Sequence, residues 1–319
     1  MQEKENHFIK NIEIKNFKCF EDFKAEGFGR VNLIGGKNNV GKTAFMEAVY
    51  IDTSSKNISN LLYAISRIQK NRDKVNLLIK NEINIIDILS INKSFDIIGT
   101  NDIKYRFNDK FINQTLEIIL NDEKEEINLN SNISFISNEN ITFIDNFGFN
   151  NEELKNIYAV VLRKEKENIL NNYLNEFDEV IEKFKIPLEY PEIKLVNDNK
   201  YKNLNQFGDG LKQYISIICS LYACEYGYLF IDEIENGIHY TNLDKLWEII
   251  LTISKEQNVQ VFATTHSKEC IESYARVAKK LEDEDTKFIE LFKHEDEIKT
   301  MVLDNEMLEY QLKQNHEVR

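Results

Sequence analysis

Lys42 and Thr43 stand directly behind Gly36-Lys37-Asn38-Asn39-Val40-Gly41, and Asp232 and Glu233 stand directly behind the apolar run Tyr228-Leu229-Phe230-Ile231. An ammonium and a hydroxyl closing a glycine-bounded loop of this length suit a chain of phosphates. The loop N–H groups point at the oxygens, Lys42 reaches the β- and γ-phosphates, and the Thr43 hydroxyl holds Mg²⁺. Two carboxylates at the end of a buried strand suit the other half of the same task. Asp232 holds the Mg²⁺ shell through water, and Glu233, further out, polarises an attacking water. A lone G-x-x-x-x-G-K-T match arises by chance in a Lys- and Asn-rich chain, and many strands meet solvent with two acids. The two motifs together are harder to explain that way.

The elements needed to position these groups are legible. Val31, Leu33 and Ile34 read as a buried strand broken by Gly35 and Gly36, and Thr43 to Tyr50 reads as a helix, with Ala44, Phe45, Ala48 and Val49 at helical spacing. "NVQVFATTHSKEC" gives a further strand ending in Thr264-Thr265-His266-Ser267. Alone, a histidine there is an ordinary surface residue. In a parallel sheet, ligands gather at the carboxyl ends of strands, which is where His266, Asp232 and the loop all fall. Gly208-Asp209-Gly210 precedes a helix with an apolar stripe of Leu211, Tyr214, Ile215, Ile218, Leu221 and Tyr222. A glycine-rich helix start is a weak anion signal by itself; it gains weight from lying just before the Asp232 strand.

Composition sets the limits. The chain has 319 residues, 42% of them hydrophobic, with 40 basic and 54 acidic residues and a formal net charge of −14. A protein that wraps nucleic acid is usually basic, so a nucleic-acid contact is left open only for a local patch or a partner. The cysteines Cys19, Cys219, Cys224 and Cys270 form no C-x-x-C pair, which points to buried thiols, a reducing cytoplasm and no zinc. "MQEKENHFIK" has no apolar core for a signal peptide, and no apolar run reaches membrane-spanning length, so a cytoplasmic protein without membrane contact is expected.

Along the chain, residues 11–35 suggest three strands. "FDIIG", "IKYRF" and "QTLEIIL" suggest a small antiparallel group, to which "ISFIS" and "ITFID" add strands. From Glu152 to Phe184 the spacing of Ile169, Tyr173, Phe177, Val180, Ile181 and Phe184 predicts helix, ended by Pro187 and Pro191.

With these motifs in this order, the chain resembles the ABC-type ATPase heads of the SMC, RecF and OLD group, nearly end to end. It is most similar to small OLD-like ATPases. "IEIKNFKCFEDF" resembles the opening strand pair, "NLIGGKNNVGKTAFMEAV" the Walker A segment and "FGDGLKQ" the signature motif. "LFIDEIENGIHYTNLDKLWEII" resembles Walker B with its D-loop, "VQVFATTHSKECIES" the switch-histidine segment, and "HEVR" the closing segment. The resemblance implies an α/β P-loop NTPase of the ABC/SMC-head type, with a mixed sheet core, an antiparallel β-lobe and a helical insertion. It implies one head over residues 1–319, with residues 52–185 inserted as a lobe. It further implies a homodimer closing around ATP and Mg²⁺. Gly36, Asn38, Asn39, Val40, Gly41, Lys42 and Thr43 bind nucleotide in one copy, and Gly208, Asp209 and Gly210 reach the γ-phosphate from the other. Glu233 is then the base, His266 the γ-phosphate sensor, Thr43 and Asp232 the metal residues, and His239 lies near the seam.

Three departures qualify the resemblance. The signature motif usually begins with Ser, and Phe207 or Gly208 stands there instead. A Q-loop glutamine has only Gln69 and Gln114 as candidates. The insertion lacks the sustained heptads of an SMC arm. OLD proteins carry a Toprim nuclease domain, but too little chain follows His266 for one, and Asp283 with Asp285 reads as a solvated acidic turn. Two functions remain: an ATPase that controls a separate effector, such as a nuclease in phage defence, or a nucleotide-sensing dimerisation module with little hydrolysis. His266 and the signature loop argue against a P-loop kinase. Arg163, Lys164 and Lys166 form a basic cluster suited to partner or DNA contact.

Overall fold

A computed structural model describes residues 7–72, 89, 93–110, 113–129, 135–198 and 200–314. Strands β1 (Asn11–Phe17) and β2 (Phe20–Glu26) alternate buried and exposed positions and pair as a hairpin. Strand β3 (Val31–Gly36) is buried at every position. That pattern is expected of a parallel strand covered on both faces. Behind it run α1 (Lys42–Ser54) and α2 (Ile58–Arg72). Strands β4 (Ser94–Ile98), β5 (Asp102–Lys110), β6 (Asn113–Leu120) and β7 (Glu123–Asn128) extend the β1–β2 hairpin into a six-stranded sheet of order β2-β1-β4-β5-β6-β7.

The rest of the chain builds the sheet that carries the motifs. After β8 (Ile141–Ile144) come α3 (Asn151–Arg163) and α4 (Glu167–Phe177). A small antiparallel sheet follows, made of β9 (Ile181–Lys185), β10 (Glu192–Leu195) and β11 (Tyr201–Asn203). Then come α5 (Asp209–Ala223), β12 (Tyr228–Ile231), α6 (Leu243–Gln257), β13 (Gln260–Thr264) and α7 (Lys268–Lys280). The described chain closes with β14 (Thr286–His294), β15 (Glu297–Leu303) and α8 (Asn305–Lys313). The main sheet has the order β15-β14-β3-β13-β12-β8, parallel except at β15.

Successive side chains of a strand point to opposite faces, so this sheet divides the interior in two. Leu229, Ile231, Val261 and Ala263 face the core shared with α5, α6 and α7. Tyr228, Phe230 and Phe262 face the core shared with α1, β1 and β2. The architecture is mixed α/β, a mostly parallel sheet beside antiparallel ones, as the sequence leads one to expect.

Three expectations are corrected. "ITFID" does not join the antiparallel group: β8 pairs in parallel with β12, Ile141 opposite Tyr228. Four residues carry no pattern that separates the two kinds of strand. The helix expected over 152–184 ends at Phe177, and a break at Lys164–Lys166, with Glu165 at φ 56, divides it into α3 and α4. Leu170 and Leu174 are its buried face, whereas Ile169 and Val180 are exposed and Ile181 and Phe184 are buried from a strand. Within residues 52–185, β4–β7 belong to the antiparallel sheet, β8 to the main sheet, and α3 packs on α5. Asp283 is buried, not solvated, and pairs with the buried Arg30 guanidinium. "HEVR" and the first half of "ISFIS" lie outside the described residues.

Candidate active site

The loop between β3 and α1 delivers Lys42 and Thr43 as the first two residues of α1. Gly41, at φ 99, occupies the N-cap position in a left-handed conformation that a residue with a Cβ adopts only at a cost. It donates no side-chain cap, so the first N–H groups of α1 stay open for an anion, with the helix dipole behind them. Lys42 is buried and donates to the carbonyls of Gly36 (2.7 Å) and Lys37 (3.0 Å). Burial pushes its pKa down, against the pull of Asp232, Glu235 and Glu233. An ammonium held on its own loop, with three carboxylates in range, is poised to move onto phosphate oxygens.

Strand register brings the other groups together. Ile231 on β12 lies opposite Ala263 on β13, so Asp232 and Thr264 emerge side by side. The Thr264 hydroxyl donates to Asp232 Oδ1 (2.6 Å) and accepts the Glu233 N–H (2.8 Å). The Thr43 hydroxyl donates to the same Asp232 oxygen at 3.0 Å. Asp232 is buried, and desolvation raises its pKa against these two hydrogen bonds. A hydroxyl and a carboxylate in contact supply the hard oxygen donors Mg²⁺ takes, with phosphates and water completing the shell. Among the described residues no cluster of three or more His, Cys, Asp or Glu side chains forms a metal site, and a nucleotide-bound Mg²⁺ does not need one.

Glu233 leaves β12 at φ 52, and its carboxylate meets His266 Nε2 at 3.2 Å. Both side chains are partly open to solvent. One carboxylate is thus tied to the Thr43 and Thr264 hydroxyls and the next to an imidazole.

The signature segment is placed differently. Phe207 packs against the core, which leaves Gly208 as the N-cap of α5, at φ 83 and without a side-chain cap. The hydroxyl missing from the motif is therefore missing at the helix start itself. Gly208 and Asp209 are exposed. Gly210 is buried so tightly that a Cβ there would lie 1.9 Å from the Gly237 carbonyl oxygen. The back of this helix start rests on the loop after Glu233. His239, exposed in that loop, bonds the Thr241 hydroxyl at 2.9 Å.

The proposed glutamines lie elsewhere, Gln69 buried on α2 and Gln114 on β6. The carboxyl end of β8 carries Asp145 and Asn146 instead, and the Ile144 carbonyl accepts the Asp232 N–H at 2.9 Å. The basic cluster is largely spent internally: Lys164 bonds the Tyr222 carbonyl (2.7 Å) and Glu225 (2.8 Å), and Lys166 sits 5.9 Å from the Tyr222 ring centre. Arg163 lines a cleft of about 550 Å³ beside β8. Sequence reasoning missed Thr264 and Glu235. Glu235 Oε1 accepts the N–H groups of His266 (2.8 Å) and Ser267 (3.1 Å). Only the β12–β13 register reveals either residue.

Comparison with known proteins bears on the fold and the activity. The family model described as "AAA ATPase domain" matches residues 151–271. An "ATP/GTP phosphatase" of Helicobacter pylori is 29% identical, over 83% of this chain and 86% of that protein. The "DNA replication and repair protein RecF" of Bacillus cytotoxicus is 41% identical over 49 residues, 15% of this chain and 13% of that one. Among solved structures, an SMC head bound to the C-winged helix domain of ScpA has a TM-score of 0.55 at 14% identity, covering 94% of this chain and 99% of that one. An SMC head with an extended coiled coil, bound to the C-terminal domain of ScpA derived from Pyrococcus furiosus, has a TM-score of 0.51 at 14% identity, covering 96% and 99%. At that identity the likeness is one of fold.

Proposed function

We propose, from the premise that this chain is an ABC/SMC/RecF-like ATPase, that it hydrolyses ATP and uses the ATP-bound state to join two heads. The observation that carries the proposal is the contact chain Thr43–Asp232–Thr264–Glu233–His266, whose members share one rim, as a pair of metal donors beside a water-activating carboxylate would need to. Lys42 and the open N–H groups of α1 grip the phosphates. Thr43 and Asp232 would hold Mg²⁺, which would supply charge neutralisation to the phosphates. Glu233 accepts the proton of the attacking water, and His266 orients that carboxylate and its γ-phosphate neighbour. Asn38, Asn39 and Val40 complete the loop around the nucleotide.

The partner head would supply Gly208 and Asp209, exposed at an uncapped helix start, with Gly210 buried directly behind them. A second reading, a nucleotide-sensing dimerisation module with little hydrolysis, is favoured by one observation: no hydroxyl stands at the start of α5. The finer setting also belongs to this proposal: an OLD-like head, residues 1–319 as one unit with 52–185 inserted, in the cytoplasm, controlling a separate effector such as a nuclease in phage defence. It rests on the resemblance of the motifs to that group. No helix among the described residues is long and apolar enough to cross a membrane.

The test is Glu233→Gln in size-exclusion chromatography with light scattering. The amide preserves the phosphate and metal contacts, so ATP with Mg²⁺ should convert the variant from monomer to dimer. An unchanged mass with and without ATP would overturn the dimer.

A further inference from the structure

Glu235 takes no part in the hydrolysis proposed above, yet it is held by that rim more closely than a solvent-facing loop residue needs. The loop leaving β12 grips the end of β13 at successive points. The Glu233 N–H donates to the Thr264 hydroxyl (2.8 Å), the Ile234 N–H donates to the Thr264 carbonyl (3.0 Å), and Glu235 Oε1 accepts from the His266 and Ser267 N–H groups. The two glutamates thus hold the same residue from two sides: Glu233 meets the imidazole of His266, and Glu235 takes its backbone.

Helix capping does not account for Glu235. The hydroxyl of Ser267 already caps α7 by accepting the Cys270 N–H at 3.1 Å. The second carboxylate oxygen of Glu235 is buried without a hydrogen bond, a cost that a purely structural residue gives no reason to keep. The backbone direction at residue 266 decides where the imidazole goes; Glu235 holds the His266 N–H and shares the Ser267 N–H with the Thr265 hydroxyl, each at 3.1 Å.

We infer that Glu235 is a positioning residue, which fixes the backbone of His266 so that its imidazole stays on Glu233. The inference rests on reading the rim as an ATPase centre, but its geometric part is testable without nucleotide.

The experiment uses the full chain with Glu235→Ala, Glu235→Gln, Glu235→Asp, His266→Ala and the double variant E235A/H266A. Glu235→Ala is expected to lower kcat about 10- to 100-fold while ATP affinity changes by less than about threefold. Glu235→Gln should restore kcat to within about threefold, because an amide oxygen accepts the same two N–H groups. Glu235→Asp, one methylene shorter, should fall between them, and it carries the expectation if Glu235→Ala does not fold. The double variant should be no worse than His266→Ala alone. Parallel loss of kcat and affinity, or additive losses in the double variant, would overturn the inference.

The nucleotide-free readout is the imidazole NMR signal of His266, assigned by its disappearance in His266→Ala. It should move in Glu235→Ala and in Glu233→Gln but stay in place in Glu235→Gln. If the wild-type chain does not turn over ATP, the ATPase reading fails on its own and this signal still decides the positioning role. An unmoved signal in Glu235→Ala would overturn it.

Discussion

At the ends of β12 and β13, the polar side chains the chemistry needs are already bonded to one another; at the start of α5, the groups that would meet phosphate have nothing in front of them. Asp232 holds two hydroxyls and Glu233 an imidazole. Gly208, by contrast, has no atom within 4 Å of where a Cβ would stand. Its neighbour Gly210 is pressed against Gly237 from behind. The difference teaches how the work is divided. Preorganised dipoles and charges at the first corner need little rearrangement when charge develops on the phosphate. The helix start is braced at the back and open at the front, which suits donors that serve a ligand held elsewhere.

The largest effect on nucleotide binding should come from removing the buried ammonium that the loop holds. Lys42→Ala deletes a charge-assisted contact of about 1.5–3 kcal/mol, so calorimetry should find ATP binding weakened roughly 10- to 100-fold. Unchanged affinity would remove the phosphate grip from the assembled corner.

A pair of substitutions sharpens the contrast on the other side. Gly210→Ala must force the helix start off the Gly237 carbonyl and should lower stability by about 1–3 kcal/mol in denaturant melts. Gly208→Ala meets no atoms, but its backbone (φ 83, ψ 167) is one that essentially only glycine adopts, a strain of about 1–3 kcal/mol. An unchanged melt for Gly210→Ala would mean that the back of α5 is not braced where the structure places it.

The smallest effect concerns Asp52, in the last turn of α1, far along the helix from both corners. Its carboxylate accepts the N–H groups of Thr100 (2.8 Å) and Asn101 (2.9 Å), and burial holds its pKa up at about 6. The folded chain therefore binds this proton more tightly than the unfolded one. Its stabilising effect is complete at low pH and is lost as pH rises from the ordinary carboxylate range through about 6. Asp52→Asn removes the charge, so the melting temperature of the variant relative to wild type should rise between pH 4.5 and 7.5, by the equivalent of about 1–2 kcal/mol. A difference that does not vary with pH would show that Asp52 does not titrate in this window.

Much of the rim was legible because its motifs are contiguous. Residues 36–43 and 228–233 each carry their chemistry within one strand and the turn after it, and a buried strand announces itself by composition. What stayed hidden depends on pairing. Thr264 and Glu235 act across the β12–β13 register, which no local pattern states. Strand β8 is four residues long, too short to tell a parallel edge from a hairpin arm. The α3–α4 break falls at Glu165 in a left-handed conformation, with neither Gly nor Pro to mark it. Pro187 and Pro191 instead flank the turn between β9 and β10, so their punctuation was real but applied to strands.

Single-turnover hydrolysis of ATP by wild type and Glu233→Gln, beside their measured ATP affinities, tests the central claim most directly. The account predicts that Glu233→Gln slows cleavage by about 100-fold or more while affinity changes by less than about threefold, because the carboxylate acts on water and not on the bound phosphates. Equal cleavage rates in the two proteins would contradict it.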